Sequence, residues 1–288
     1  MYKRILVPLD GSKLAEQVLP FARRLADSFG SAVELLQATD PDARYPFWPP
    51  QASARYLKAV SKNYFPASAR VAEIAEVGEP AQVIVDRAKA DPACLIAMAT
   101  HGMSGMRRWL LGSVAAKVVQ TSANPLLLVR PGDANPSEPV VLNTIFVPLD
   151  GSALAEKVLP HVIALGKTMK LEVHLVRVYT LPPDAYVIAD GVIAQGPAVF
   201  RDEIRSEATT YVDGKIDELR AEGLESLVAT AIEGDAASEI IDIARKTPNN
   251  LIAMSTHGRS GVGRWLVGSV AEKVIQHSQD PVLLIRVA

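Results

Sequence analysis

The chain repeats itself, and the repeat restricts it to two copies of one folding unit. Val7-Pro-Leu-Asp-Gly-Ser-Lys-Leu-Ala-Glu-Gln-Val-Leu-Pro20 returns as Val147-Pro-Leu-Asp-Gly-Ser-Ala-Leu-Ala-Glu-Lys-Val-Leu-Pro160, with 12 of 14 positions identical at an offset of 140. Residues 95–130 align with 251–286 without gaps, 24 of 36 positions identical, at an offset of 156. The middle of the second copy therefore holds 16 more residues, a change that belongs in a surface connection. Between the copies Pro131-Gly-Asp-Ala-Asn-Pro-Ser-Glu-Pro139 is too rich in proline and polar residues for a regular element. The units are expected at 1–132 and 143–288, with 133–142 as the linker.

Within the first copy, short apolar runs alternate with longer runs of helical period. The pattern predicts strands over 4–9, 32–38, 70–76, 94–99 and 126–130, and helices over 13–29, 80–90 and 112–122. In the first helix Leu14, Val18, Phe21, Ala22 and Leu25 fall at helical spacing. A variable segment follows the second strand. Strand, helix, strand in this order implies right-handed crossovers and an α/β fold, with a five-stranded parallel sheet in each copy and helices on both faces. In such sheets a ligand sits beyond the carboxyl ends of the strands, where the strand order reverses. Asp10-Gly11-Ser12 follows the first strand and Thr100-His101-Gly102 the fourth, so the repeated residues converge on that crevice.

Bulk properties exclude several classes. A net charge of -2 with 22% charged residues gives no basic surface for nucleic acid. The apolar runs at 94–99 and 281–285 are far shorter than the roughly 20 residues of a membrane span. The start of the chain runs directly into a strand pattern rather than a signal peptide, so a cytoplasmic location is expected. Cys94 is the single cysteine, which rules out an internal disulfide, and its place in an apolar strand suits an inert core residue.

The chemistry lies after the fourth strand. Ala99-Thr-His-Gly102 is followed by nine residues and Gly112-Ser113; Ser255-Thr-His-Gly258 is followed by nine residues and Gly268-Ser269. Glycines let backbone approach a bulky anion, and a helix start presents unpaired N–H groups with partial positive charge. The Ser113 and Ser269 hydroxyls either join that anion or cap the helix, and Ser269-Val-Ala-Glu272 has capping-box spacing. Asp10 and Asp150 either accept from a ligand and help hold Mg²⁺ or simply favour the turn they occupy.

With these motifs the chain resembles a tandem universal stress protein of the nucleotide-binding branch, over nearly all of both copies. That branch carries Gly, two residues, Gly, nine residues, Gly, then Ser or Thr. Here Gly102, Gly112 and Ser113, and Gly258, Gly268 and Ser269, match, while Ala99 and Ser255 stand at the first glycine. If that glycine supplies space, a small residue weakens binding; if it supplies a positive φ, Ala99 is strained. The resemblance implies two tandem Rossmann-like domains of the adenine nucleotide alpha hydrolase-like kind and bound ATP, with Mg²⁺ near Asp10 and Asp150. It puts Asp10 and Asp150 near ribose and phosphates and the backbone around Ala38 and Val178 against adenine. The implied contacts are Pro8, Leu9, Asp10, Ala38, Met98, Ala99, His101, Gly102, Gly112, Ser113 and Val114. In the second copy they are Pro148, Leu149, Asp150, Val178, Met254, Ser255, His257, Gly258, Gly268, Ser269 and Val270. The last strands, 126–130 and 282–286, become the edge through which the domains pair, and a homodimer beyond that is expected.

Other residues are read more plainly. His101 and His257 have no visible nucleophile or metal partner and are expected to be structural. Trp109 and Trp265 suit a core plug or subunit contact, while Arg107, Arg108 and Arg264 are equally suited to phosphates and to a solvated surface. The stretch 45–50 (Tyr-Pro-Phe-Trp-Pro-Pro) covers a base or packs on its domain. In the second copy the apolar runs 187–189 and 192–194 suggest a lid or partner surface, followed by an amphipathic helix over about 201–222. The leading function is a nucleotide-binding regulator in stress response. A slow ATP hydrolase is the alternative, but the first loop reads Leu-Asp-Gly-Ser rather than the Ser-Gly-Gly-x-Asp-Ser of related pyrophosphatases. A scaffold without ligand is the third reading.

Overall fold

The computed structural model describes residues 1–40, 48–102, 111–132, 139–181, 186–189, 192–195, 198–258 and 267–287. Expectations for residues 45–47, Arg107, Arg108, Trp109, Arg264, Trp265 and linker residues 133–138 lie outside these.

The first copy runs β1 (Arg4–Pro8), α1 (Lys13–Glu16), α2 (Leu19–Phe29), β2 (Ala32–Thr39), α3 (Pro50–Tyr64), β3 (Val71–Val77), α4 (Pro80–Lys89), β4 (Cys94–Ala99), α5 (Ser113–Thr121) and β5 (Leu126–Val129). The predicted single helix over 13–29 is two helices. Pro20 has no N–H for the Glu16 carbonyl and its ring crowds that turn, so a new helix begins with the proline in its first turn. The variable segment holds α3, packed through Leu57 and Val60.

The second copy runs β6 (Thr144–Pro148), a 3-10 turn (Ala155–Val158), α6 (Leu159–Met169) and β7 (Glu172–Tyr179). An antiparallel hairpin, β8 (Tyr186–Ala189) with β9 (Val192–Gln195), occupies the segment read as apolar loops. It continues with α7 (Ala198–Ala221), β10 (Leu227–Glu233), α8 (Ala236–Lys246), β11 (Asn250–Ser255), α9 (Ser269–His277) and β12 (Val282–Ile285). The 16 added residues are thus the hairpin and the longer α7.

Each half orders its strands as a doubly wound sheet, β3-β2-β1-β4-β5 and β10-β7-β6-β11-β12, with parallel neighbours throughout. The halves join into one ten-stranded sheet because β5 and β12 pair antiparallel, Leu127 opposite Leu283. The last strands therefore satisfy each other inside the chain. The outer strands β3 and β10 are half-buried and carry Glu73, Glu76 and Glu233, which discourages further edge pairing. β4 and β11 are buried along their whole length, as central parallel strands covered on both faces must be.

Successive strand residues alternate between two apolar clusters. Ile5, Val7, Leu95 and Ala97 belong to one, Leu6, Ile96 and Met98 to the other, and both clusters contain residues of both copies. The seam is closed by reciprocal caps. Arg130 Nη1 donates to the Gln276 carbonyl at the end of α9 (2.9 Å), and Arg286 Nη1 to the Ser122 carbonyl at the end of α5 (3.0 Å). A cation there also meets the negative end of the helix dipole. Tyr2 stacks on His161 of α6, its hydroxyl 2.8 Å from Nδ1. Cys94 is fully buried, and burial pushes its thiol up to about 11, so it stays protonated. Among the described residues no helix is long and apolar enough to cross a membrane.

Candidate functional site

The reversal of strand order falls between β1 and β4 in the first half and between β6 and β11 in the second. Beyond the carboxyl ends of each pair lies a cleft, ≈ 360 Å³ in the first copy and ≈ 260 Å³ in the second. The structure brings all eleven residues named for the first copy into the first cleft, and all eleven named for the second into the second.

The loop after β1 is shaped by Asp10. Its Oδ1 accepts from the Ser12 amide at 2.9 Å and the Ser12 hydroxyl at 2.6 Å, while Ser12 Oγ caps α1 by accepting from the Ala15 amide at 3.1 Å. Asp150 and Ser152 repeat the turn and the cap at 2.9 and 3.1 Å. Gly11 and Gly151 sit at φ +90° and +85°, where a side chain is strained, which is why glycine follows the aspartate in both copies.

Across the cleft, Gly102 packs against the same carboxylate. A Cβ built on it would overlap Oδ2 of Asp10 and stand 2.9 Å from Cγ; Gly258 meets Asp150 in the same way. The Gly112 amide donates to the Thr100 carbonyl at 2.9 Å, and a Cβ on Gly112 would stand 3.1 Å from that oxygen. These glycines are requirements of space. At the first signature position Ala99 and Ser255 end their strands, and neither is among the positive-φ residues, so neither is strained. Ser255 Oγ also donates to the His257 carbonyl at 2.8 Å, a bond that Ala99 cannot make.

The capping role considered for Ser113 and Ser269 does not hold. Gly112 and Gly268 occupy the N-cap positions, at φ -58° and -59°, and among the described residues no side chain caps either helix. The Glu272 amide donates to the Gly268 carbonyl at 2.9 Å rather than to the Ser269 hydroxyl, and its side chain accepts from Gln276, so the capping box is not formed. The serines are the first residues of α5 and α9 and are exposed. The first intrahelical bond runs from the Ala116 amide to the Gly112 carbonyl, leaving the amides of Ser113, Val114 and Ala115 without an intrahelical acceptor where they border the cleft.

Residues outside the predicted set fix this helix end. Glu79 caps α4 by accepting from the Ala81 and Gln82 amides at 3.2 and 2.9 Å and pairs with Lys117 of α5 at 2.8 Å. Burial pushes its carboxyl up, but the Lys117 and amide hydrogen bonds outweigh this and hold it below the usual range. Asp235 caps α8 through the Ser238 amide, with Lys273 of α9 4.0 Å away. The matching lysines at an offset of 156 were the available signal. His101 and His257 each lie 3.0 Å through Nδ1 from the preceding threonine hydroxyl, a local bond that orients the ring at the cleft rim.

The clefts differ beyond β2 and β7. The first includes Gln37, Thr39 and Asp40, none of them among the residues predicted for it, and Trp48, from the stretch read as covering a base or packing on its domain. Trp48 packs edge-on against Tyr56 of α3, ring centroids 5.7 Å apart, and a Cβ on Gly11 would stand 3.0 Å from its indole. At the matching place in the second copy Arg177 is buried, 3.5 Å from Glu207 and 4.7 Å over the Tyr211 ring of α7.

For Mg²⁺, no group of three or more carboxylate, histidine or cysteine side chains gathers among the described residues. Asp10 and Asp150 each bring a single carboxylate to their cleft, which fits an ion held mainly by ligand phosphates and water.

The universal stress protein family matches residues 1–130 and again residues 142–286. A universal stress protein of Methanocaldococcus jannaschii is 31% identical over 142 residues, 49% of this chain and 81% of its own length. One from Thermus aquaticus is 33% identical over 138 residues, 45% of this chain and its full length. Each of these relatives spans about one copy. A solved universal stress protein from Archaeoglobus fulgidus covers 99% of both chains with a TM-score of 0.69 at 19% identity, a likeness of fold. Matched over both of its copies, the chain belongs to the universal stress protein family.

Proposed function

We propose that each cleft holds an adenine nucleotide, ATP foremost, and that the chain is a nucleotide-responsive regulator in stress response rather than an enzyme. The observation that carries this reading is the uncapped start of α5 and α9. Three amides border each cleft there, after a glycine on which a side chain would be crowded and in the same cleft as a carboxylate. Such an end attracts phosphate through its N–H groups and its dipole. The phosphates would meet Gly102, Gly112 and the amides of Ser113 and Val114, with the serine hydroxyl donating to the same anion. The ribose would face Asp10, and the Ala38 backbone the adenine; Gly258, Gly268, Ser269, Val270, Asp150 and Val178 repeat these roles. Bound Mg²⁺ would screen the charge between phosphates and Asp10 or Asp150.

A regulatory role fits the carboxylates. Glu79 and Asp10 are engaged in helix capping and turn formation, which leaves them poorly placed to activate water. The folding units we infer are 1–132 and 143–288. A homodimer of such chains would use surfaces other than β5 and β12, which already pair with each other.

Gly112→Val and Gly268→Val, made separately, test the reading by equilibrium dialysis with labelled ATP. Each is expected to remove one of two binding equivalents while the far-ultraviolet circular dichroism is retained. Two equivalents surviving in both variants, or none in the parent, overturns it.

A further inference from the structure

Gln37 is 2% exposed on β2, and its side chain lines the first cleft. Its Oε1 is buried without a hydrogen-bond partner among the described residues, a costly condition for an amide in the interior. Its Nε2 stands 3.6 Å from where a Cβ on Gly11 would be, beside the Trp48 indole. A carboxamide is neutral, so what it lacks is a hydrogen-bond donor rather than a cation. An adenine nucleotide has few donors: its phosphates are ionised, and only the exocyclic 6-amino group and the ribose hydroxyls remain. The indole alongside favours a planar ring as the neighbour. The second copy cannot repeat this, because Arg177 stands at the place of Gln37 and is committed to Glu207 and Tyr211.

We infer that Gln37 and Trp48 form a base-reading subsite particular to the first cleft, in which Oε1 of Gln37 accepts from the 6-amino group of adenine. The first cleft then selects adenine over purines lacking that donor, and the second holds nucleotide without this selection. The inference rests on the nucleotide reading above and adds the specificity of one cleft. Guanine fits poorly, since it presents an acceptor oxygen at the same ring position.

The test uses calorimetric titration of the full chain carrying Ser269→Asp, which sets a carboxylate at the second phosphate position and leaves the first cleft for ligand. ATP, purine riboside triphosphate (no 6-amino group) and 2′-deoxy-ATP are compared with and without Gln37→Met. With Gln37, ATP is expected to bind roughly tenfold more tightly than the 6-deamino analogue; Gln37→Met abolishes that ratio. The melting temperature of the unliganded Gln37→Met chain should not fall, because the change removes a buried amide with no partner. Equal binding of ATP and the 6-deamino analogue when Gln37 is present overturns the inference without any variant at that position. So does a ratio that survives Gln37→Met, or a loss that follows the 2′-hydroxyl instead. If ATP binds neither this chain nor the unaltered protein, the nucleotide reading falls as well.

Discussion

The Asp10 carboxylate fills the space that a side chain on Gly102 would need, and Asp150 does the same to Gly258. The loop after the first strand and the loop after the fourth are thereby locked to each other in both copies. Gly102→Ala must push Asp10 away from Ser12, loosening the turn that caps α1. It should cost about 1–3 kcal/mol in urea unfolding and weaken nucleotide at the first cleft more than at the second. Unchanged stability and unchanged affinity together would refute the lock.

Ser113→Asp and Ser269→Asp separate helix stability from anion binding, because the two respond with opposite sign. A carboxylate in the first turn suits the helix dipole and should stabilise each helix by about 0.3–1 kcal/mol. The same charge repels a phosphate bound there, so nucleotide affinity should fall at that cleft. Thermal melts and dialysis on the same preparations give both readings, and a parallel rise or fall in the two would count against an anion at this end.

Much of this arrangement is legible in the sequence. The repeat marks both glycine loops, and the buried run 94–99 is the strand β4 to the residue. Helix α3 is not legible, since three prolines precede it, its own composition is largely polar and its hold depends on Leu57 and Val60 reaching a distant core. The burial of Gln37 is not legible for a related reason. A lone polar residue in a strand reads as solvent-facing until the fold shows it buried. The place of the cap is legible only in backbone angles, which put it one residue before Ser113, at Gly112.

Lys170 ends α6 at φ +55°, where the matching residue of the first copy is Gly30 at φ +63°. A non-glycine residue in that conformation costs about 1–2 kcal/mol, partly offset by the smaller entropy it loses on folding. Lys170→Gly should raise stability by about 0.5–1 kcal/mol in urea unfolding without touching either cleft. A destabilising result would mean that the lysine side chain makes contacts worth more than the strain.

The seam between the copies should respond to loss of its arginines. Arg130→Ala and Arg286→Ala each remove a charged donor from a helix end across the seam and should cost about 1 kcal/mol apiece. If the caps act independently the costs add in the double variant.

Acid should weaken the fold through His161 and His174. Burial lowers both below the ordinary value of 6.5; at His174 the nearby Glu172 works in the opposite direction without prevailing. The folded state therefore takes up these protons less readily than the unfolded chain. Their contribution is complete above pH 6.5 and is lost as the pH falls below it towards the folded values. Melting temperatures from pH 7.5 to 5 should decline, and His161→Phe, which keeps the ring stacked on Tyr2, should flatten part of that decline. An identical slope in His161→Phe would remove His161 from the account.

Whether both clefts hold adenine nucleotide is decided by a count. The full chain is saturated with ATP and Mg²⁺, freed of excess by gel filtration and denatured, and the supernatant is chromatographed for nucleotide against protein concentration. Adenine nucleotide approaching two moles per chain is the expected result. None retained, with equilibrium dialysis equally empty, would contradict it.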